Sequence, residues 1–96
     1  MSLRLTLRPR AEADLEDAFR WYEARLPGLG EVFLRSIDAC FARIQRHPEA
    51  HAEAHPGVRR ASLRRFPYGV FYVVREDRID VLAVYHARRR PRTFQP

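Results

Sequence analysis

The sequence predicts an α+β domain with the element order β-α-α-β-β-β, in which an N-terminal helical hairpin packs on one face of an antiparallel sheet. Two observations lead to this prediction. Apolar residues recur every three to four positions between residues 9 and 47, as on the buried face of a helix. Beyond residue 58, runs rich in β-branched and aromatic residues are separated by short turn sequences. A chain of 96 residues is long enough for one such domain, so we expect a single domain over residues 1–96.

The first half of the chain contains one strand and both helices. Residues 3–7 (LRLTL) alternate apolar and polar side chains, which indicates a strand. Pro9 suits the first turn of a helix, whose apolar stripe comprises Ala11, Leu15, Ala18, Phe19, Tyr22 and Leu26. Trp21 lies beside this stripe, at its margin or on a surface that faces a partner. Residues 27–30 (PGLG) turn the chain. A second helix then runs from Glu31 to about His47, with a stripe of Phe33, Ile37, Cys40, Phe41 and Ile44.

The second half of the chain is predicted to be mostly strand. Residues 48–57 (PEAHAEAHPG) indicate a loop. Three strands follow at 58–65, 70–76 and 78–85, with turns at 66–69 and 76–77. Their short connections favour an antiparallel meander, with one sheet face left free of helices.

The charge of the chain is concentrated at one end. The net charge is +6, and residues 58–96 hold ten arginines against three acids. This excess predicts an anionic partner, either nucleic acid or an acidic protein segment. The longest uncharged run, 66–74, is too short to cross a bilayer, and the N-terminus lacks the apolar region of a signal peptide. With its single cysteine, which cannot form an internal disulfide, the protein is expected in the cytoplasm and away from membranes.

Metal or cofactor binding is not expected. His47, His51 and His55 are spaced by four, which would align them on a continuous helix, but Pro48 and Pro56 argue against such a helix. We therefore interpret this stretch as a solvated loop. Cys40 lies on an apolar stripe and is expected to be a buried hydrophobe. A chain this short can form one core but has little room for an enclosed cofactor pocket.

The strongest candidate for chemistry is a basic group in the C-terminal part. Its members are Arg59, Arg60, Arg64, Arg65, His86, Arg88, Arg89, Arg90 and Arg92. The group could hold phosphates, with His86 as general acid or base. It could equally be a solvated basic rim that keeps a small domain soluble. The acids of residues 12–23 are interpreted as an exposed helix face that complements these arginines.

Several short motifs occur in an order typical of one protein family. They are Asp14-Leu15, Trp21-Tyr22, Gly28–Gly30 with Phe33, His47-Pro48-Glu49, Arg64–Tyr68 and His86–Pro91. Together they resemble the RelE/ParE superfamily of type II toxins, and most closely the ParE-like plasmid-stabilisation toxins. The resemblance covers nearly the whole chain. It implies a toxin that is neutralised by a cognate antitoxin (ParD- or RelB-like). That antitoxin would have a DNA-binding N-terminal half and a tail that wraps the toxin.

The two branches of this superfamily imply different targets. ParE-like members resemble inhibitors that bind DNA gyrase, and the residues expected to contact it here are Arg88, Arg89, Arg90, Arg92 and Phe94. RelE-like members resemble ribosome-dependent mRNA endoribonucleases, for which Arg60, Arg64 and Arg88 would hold phosphate and His86 would act as acid or base. In the RelE-type pattern an arginine stands where this chain has Gly69, and a tyrosine stands where it has Phe94. These two departures favour the ParE-like hypothesis.

The antitoxin surface is expected to combine apolar and basic side chains. Its predicted members are Trp21, Arg59, Arg65, Phe71 and Tyr72. Such a surface suits an acidic amphipathic segment that folds on binding. A third hypothesis is a decayed toxin that retains only antitoxin binding.

Overall fold

The computed structural model describes residues 3–88. Its elements are β1 (Arg4–Leu7), α1 (Pro9–Arg25), α2 (Leu29–Arg46), β2 (Glu53–His55), β3 (Val58–Ser62), β4 (Tyr68–Val74) and β5 (Arg78–His86). The predicted α+β class and the predicted order of elements are confirmed, with β2 as one addition. Within the described residues, neither helix combines the length and the apolar character needed to cross a membrane.

The five strands form one mixed sheet in the order β1-β5-β4-β3-β2. Strands β3, β4 and β5 form an antiparallel meander, as predicted, and β2 adds to it antiparallel to β3. Strand β1 differs because it lies parallel to β5, with Leu5 opposite Ile79. The alternation in residues 3–7 identifies a strand but carries no information about the direction of its neighbour. The helices and the intervening strands supply the long connection that a parallel pair requires.

Strand β2 lies in the stretch that was predicted to be a loop. Its three residues are exposed, and its register with β3 is irregular. The preceding residues are also tied to β3, since the N–H of Arg60 donates to the carbonyl of Ala52 at 3.1 Å. A short exposed strand without apolar alternation gives no sequence signal, so the pairing is decided by the position of β3.

The main core lies between the two helices and one face of the sheet. Helix α2 buries Phe33, Ile37, Cys40 and Ile44, in agreement with its predicted stripe. Helix α1 buries Ala11, Ala18 and Tyr22. Leu26, predicted as part of the same stripe, is 59% exposed. It lies one residue beyond the last turn of α1, in extended conformation, and so points away from the helix face.

A second apolar cluster lies on the opposite face of the sheet. It consists of Val58, Phe71, Val73, Leu82, Ala83 and Tyr85, all at most 7% exposed. A β-bulge contributes to it: Phe71 pairs with Ala83 and Tyr72 with Val81, so Leu82 is an extra residue in β5. Because β4 and β5 bury both faces, their sequences are nearly continuous apolar runs rather than alternating ones.

The turn between the helices is held by a side chain of α1. Gly28 has φ 92°, a left-handed conformation that glycine adopts without steric cost. The carboxylate of Glu23 accepts hydrogen bonds from the N–H groups of Gly28 and Gly30, each at 3.0 Å. These N–H groups have no partner within the first turn of α2, so Glu23 caps that helix from its neighbour.

Replacing Glu23 with alanine is expected to lower the free energy of unfolding by about 1–2 kcal/mol, because two helix N–H groups lose a charged acceptor. Urea denaturation followed by circular dichroism measures this loss. Glu16→Ala is the matched control, since Glu16 lies on the same helix and its ion-pair partner among the described residues is the exposed Arg20. Its effect should stay within about 0.5 kcal/mol. Equal losses in the two variants would contradict the capping role.

Candidate functional site

An open groove lies between α1 and the sheet ends formed by β4 and β5. Its volume is about 520 Å³, which is within the range of ligand-binding pockets. Helix α1 contributes Asp14, Asp17, Ala18, Trp21 and Tyr22 to its walls. The sheet side contributes Pro67, Tyr68, Val84 and His86. We refer to this site as the α1 groove.

Packed aromatic rings support one end of the α1 groove. Phe33 of α2 is fully buried and lies 5.2 Å from the ring of Tyr22, 5.3 Å from that of Phe66 and 5.2 Å from that of Tyr68. Edge-to-face and offset arrangements of this kind add to the energy of apolar burial. Since Tyr22 and Tyr68 also line the groove, its shape depends on this cluster.

Trp21 forms the exposed lip of the groove. It is 52% exposed, although it is the largest apolar side chain of the protein. One face of its indole is covered by the guanidinium of Arg25, 4.2 Å from the ring centroid, and its ring meets Tyr22 edge to face at 5.0 Å. Its predicted position beside the apolar stripe is therefore correct. An exposed tryptophan beside a cleft is typical of a binding surface.

His86 lies at the sheet end of the groove, and its hydrogen bonding defines which ring nitrogen carries a proton. The backbone N–H of Arg88 donates to Nδ1 of His86 at 3.1 Å. A ring nitrogen that accepts from an N–H has no proton, so in the neutral ring the proton is on Nε2. The ring therefore offers an N–H donor, and its lone pair is already used. A general base at this position would need that lone pair to be free.

Two carboxylates give the groove a negative rim in a chain whose net charge is +6. Asp14 is anchored, since its Oδ2 accepts from the backbone N–H of Val84 at 2.9 Å. Asp17 lies one turn further along α1, and its side chain is 79% exposed. Sequence reasoning treated both as part of a solvated helix face and missed their place in a groove. A signal for the groove was available in their spacing, which places on one helix face Asp14, Asp17, Ala18 and Trp21.

The structure separates the basic residues that were predicted to act together. Arg60 pairs with Phe71, and its guanidinium lies 5.7 Å from the Phe71 ring on the second face of the sheet. His86 pairs with Tyr68, whose ring is 5.3 Å away, on the helix side. Paired residues on adjacent strands share a face, so Arg60 and His86 lie on opposite faces. The predicted phosphate-binding group of Arg60 with His86 is therefore not assembled in this structure.

Gly69 has a structural role that concerns the same arginine. A Cβ at position 69 would lie 3.2 Å from Cγ and 3.3 Å from Cδ of Arg60, tighter than usual contacts. The stem of Arg60 crosses the sheet over this glycine, and its buried Nε has no hydrogen-bond partner among the described residues. The absence of a side chain at position 69 thus creates the space in which Arg60 lies.

The remaining predicted arginines differ in exposure. Arg64 and Arg65 are exposed in the bend between β3 and β4, and Arg88 is exposed after β5. Arg59 instead holds the segment before β2, since its guanidinium donates to the carbonyls of Glu49 at 3.2 Å and His51 at 2.7 Å. Four further residues of the predicted target surface lie outside the described part of the chain, namely Arg89, Arg90, Arg92 and Phe94.

Two residues predicted to contact the antitoxin are buried within the domain. Tyr72 is fully buried in the main core, and Phe71 is 6% exposed in the second cluster. In this conformation neither side chain is accessible to a partner, which contradicts their predicted role as surface residues. The reason is that β4 is a central strand whose two faces are both covered. Sequence alternation does not distinguish this case from a strand with one open face.

Tyr72 and His51 hold the segment before β2 against the sheet. Burial raises the pKa of Tyr72 to about 12, so its hydroxyl stays protonated and donates to the carbonyl of Pro48 at 2.6 Å. Burial, together with the charges of nearby arginines, lowers the pKa of His51. Since the Tyr72 proton is already used, Nδ1 of His51 is the donor in the 3.1 Å contact with the Tyr72 oxygen.

Replacing Tyr72 with phenylalanine is expected to reduce the free energy of unfolding by about 1–2 kcal/mol, because the carbonyl of Pro48 and the ring of His51 lose their partner. The segment of residues 48–57 should also open more often, in addition to the loss of global stability. Limited proteolysis within residues 48–57 is the measurement, with the variant cleaved faster than the native chain. Unchanged cleavage would show that this hydroxyl does not hold the segment.

The histidines and the cysteine do not form a site together. His47 is the C-terminal cap of α2, His51 contacts Tyr72, and His55 ends β2. Within residues 3–88, no three histidine, cysteine, aspartate or glutamate side chains are grouped as a metal site requires. Cys40 is buried as predicted, its Sγ is 3.9 Å from the carbonyl of Ala61, and burial raises the pKa of its thiol. A thiol held protonated in this way is a poor nucleophile.

Comparisons with known proteins agree with this architecture. The family described as "ParE toxin of type II toxin-antitoxin system, parDE" matches residues 5–91. Toxin ParE2 of Mycobacterium tuberculosis, from strain CDC 1551 / Oshkosh and from strain H37Rv, is 32% identical over 96 residues, which cover 99% of this chain and 91% of the relative.

Two solved structures share the fold. A chain of the chromosomal ParDE toxin–antitoxin system from P. aeruginosa has a TM-score of 0.78 at 22% identity, covering 88% of this chain and 96% of that one. A chain of the toxin–antitoxin complex RelBE2 from Mycobacterium tuberculosis has a TM-score of 0.61 at 17% identity, covering 90% and 99%. The match to the family over nearly the whole chain, together with the relatives at 32% identity, shows that this protein belongs to the ParE toxin family of type II toxin–antitoxin systems.

Proposed function

We propose that this ParE-family toxin inhibits DNA gyrase by binding it, performs no bond cleavage of its own, and is neutralised by a cognate antitoxin. Membership of the ParE family supports gyrase as the target, because ParE-like toxins resemble inhibitors that bind DNA gyrase. The antitoxin is supported by the two related structures, which are described as parts of toxin–antitoxin systems. The exposed Arg88 and the arginine-rich residues that follow it are the proposed contacts with the target.

The observation that carries the proposal is the arrangement around His86. The lone pair of its neutral ring accepts from the N–H of Arg88, and Arg60 lies on the opposite face of the sheet beside Phe71. Cleavage of RNA by a RelE-like mechanism would need a proton acceptor and a phosphate-binding cation on the same side of the substrate. This arrangement supports a binding function rather than a catalytic one.

The alternative is a RelE-like, ribosome-dependent endoribonuclease. One observation favours it: His86 lines an open groove and is followed by the exposed Arg88. In that case the ring would need to release the N–H of Arg88 and act as acid or base when message is bound. The two functions predict opposite results for one variant.

The test combines a gyrase assay with a ribosome assay. Toxin freed of antitoxin is added to gyrase from the same host and supercoiled DNA, and cleaved DNA is quantified. We expect cleaved DNA to accumulate, and His86→Ala to act within about twofold of the native chain, since a non-catalytic ring contributes little to the rate. Circular dichroism confirms that the variant is folded. The proposal is overturned if gyrase is unaffected while the native chain, but not His86→Ala, cleaves ribosome-bound message.

A further inference from the structure

The α1 groove has a charge opposite to that of the protein that carries it. Although the chain has a net charge of +6, the described residues that line the groove include two aspartates and no arginine. The overall charge favours an acidic partner segment. Within the groove, the two aspartates favour a cation.

The aromatic lip of the groove favours the same kind of group. An indole ring attracts cations through its face, and in this protein the guanidinium of Arg25 already lies 4.2 Å from the centroid of the Trp21 ring. Trp21 is still 52% exposed, so part of the indole is open to a partner. A second guanidinium or ammonium could then contact the exposed part of the indole together with Asp17.

Asp17 is the carboxylate best placed to receive that cation. Among the described residues its ion-pair partner is Arg20, whose Nη1 is 3.9 Å from Oδ1 of Asp17, while Nη2 of the same arginine binds Glu16 more closely. Pairing of Asp17 with Arg20 is therefore weak, and its side chain is largely in solvent. Beneath it, Tyr22 and Val84 provide an apolar wall for a neighbouring side chain.

We propose that the α1 groove binds a partner segment in which an arginine or lysine lies next to an apolar side chain. The cation would lie between Asp17 and Trp21, and the apolar side chain would pack toward Tyr22 and Val84. The occupant is a segment of the neutralising antitoxin, an identification that rests on the proposed function. An otherwise acidic antitoxin tail would thus carry one basic anchor, which would fix its register on the toxin.

The test uses the fact that Trp21 is the one tryptophan of the chain, so its fluorescence reports on this groove directly. The full-length chain is titrated with three blocked peptides, acetyl-Leu-Arg-Leu-amide, its citrulline analogue and acetyl-Leu-Glu-Leu-amide. Citrulline keeps the shape of arginine and removes its charge. We expect Trp21 fluorescence to change saturably with the arginine peptide. Half of that change should be reached at a concentration about threefold to fivefold lower than with the citrulline peptide, and the glutamate peptide should bind most weakly.

Two variants distinguish a specific ion pair with Asp17 from non-specific attraction of a cationic peptide to any carboxylate on the surface. Asp17→Asn should remove most of the preference for arginine over citrulline. Asp38→Asn is the matched control, because Asp38 is exposed on α2 and does not line the groove, and it should leave that preference unchanged. The proposal is overturned if the glutamate peptide binds as tightly as the arginine peptide, if the three peptides leave Trp21 emission unchanged, or if both variants behave alike.

The identity of the occupant is tested separately from the target. An antitoxin co-purified with the chain should change Trp21 emission, and Asp17→Lys should weaken that complex about tenfold or more through repulsion of the basic anchor. An antitoxin that leaves the emission and the affinity unchanged would refute this part. Neither measurement involves gyrase, so a negative gyrase assay would refute the proposed target without affecting the groove, and the converse also holds.

Discussion

Replacing Phe33 with alanine is expected to lower the free energy of unfolding by about 3–5 kcal/mol. Phe33 is fully buried and lies within 5.3 Å of three other aromatic rings. Truncation removes apolar contacts from all of them and leaves a cavity that the surrounding rings cannot fill without moving. A loss of this size is a large fraction of the stability of a small domain, typically about 5–15 kcal/mol.

The same substitution is expected to alter the α1 groove, because Tyr22 and Tyr68 pack on Phe33 and also line the groove. Equilibrium denaturation in urea measures the stability, and Trp21 emission in the folded baseline reports on the groove. Phe33→Leu is the control, since it keeps most of the buried volume and should cost about 1–2 kcal/mol. A loss below about 1.5 kcal/mol for alanine would show that the aromatic cluster repacks.

Replacing Asp80 with asparagine is expected to cost about 2 kcal/mol at pH 7. Asp80 lies in β5 opposite Thr6 of β1 and is buried. Its carboxylate accepts from Thr6 Oγ1 at 2.7 Å, Arg78 Nε at 2.9 Å and Arg75 Nε at 3.2 Å. Arg8 lies 3.7 Å away. Burial alone would raise the pKa of Asp80, but these hydrogen bonds and the charge of Arg78 lower it from 3.8 to about 2. Each pKa unit corresponds to about 1.4 kcal/mol of stability, which sets the expected size.

The pH dependence has a definite sign. The pKa of Asp80 is lower in the folded chain than in the unfolded chain, so the unfolded state binds the proton more readily. The contribution of Asp80 is therefore complete above the unfolded value of 3.8 and is lost as the pH falls toward about 2. The difference in stability between the native chain and Asp80→Asn should shrink over this range.

Denaturation at a series of pH values from 7 to 2 measures that difference. Asp77→Asn is the matched control, because Asp77 is in the same hairpin, its side chain is 68% exposed, and within residues 3–88 it pairs with Arg78 alone. It should change stability by less than about 0.5 kcal/mol at any pH. A constant difference for Asp80→Asn down to pH 2 would show that its carboxylate is not the group being titrated.

Much of the fold could be predicted because it depends on local patterns. The helical spacing of Phe33, Ile37, Cys40 and Ile44 specifies a buried face wherever the helix packs. The run of β-branched and aromatic residues around Val70 likewise specifies a strand from residue type alone. Family membership could be predicted from the order of short motifs, and the comparison over residues 5–91 confirms it.

The arrangement of the candidate site could be predicted less well, because it depends on which face of the sheet each side chain occupies. The sequence places Arg60 and His86 in the same basic segment, but strand pairing places them on opposite sides of the sheet. Likewise, nothing in the local sequence around Tyr72 shows that it is covered by helices on one side. The sequence around Asp14 and Asp17 is typical of a solvated helix face, and only the packing of α1 beside β5 makes them part of a groove.

By itself, the sequence determined both helices, the strands other than β2, the α+β class, the family and the concentration of positive charge near the C-terminus. These properties follow from residue type and from spacing along the chain, which act over a few positions. The tertiary structure decided the parallel pairing of β1, the extra residue Leu82 in β5, the burial of Phe71 and Tyr72, and the negatively charged α1 groove. Each of these depends on contacts between residues that are distant in the chain, and the free energy of such contacts is set by packing rather than by local preference.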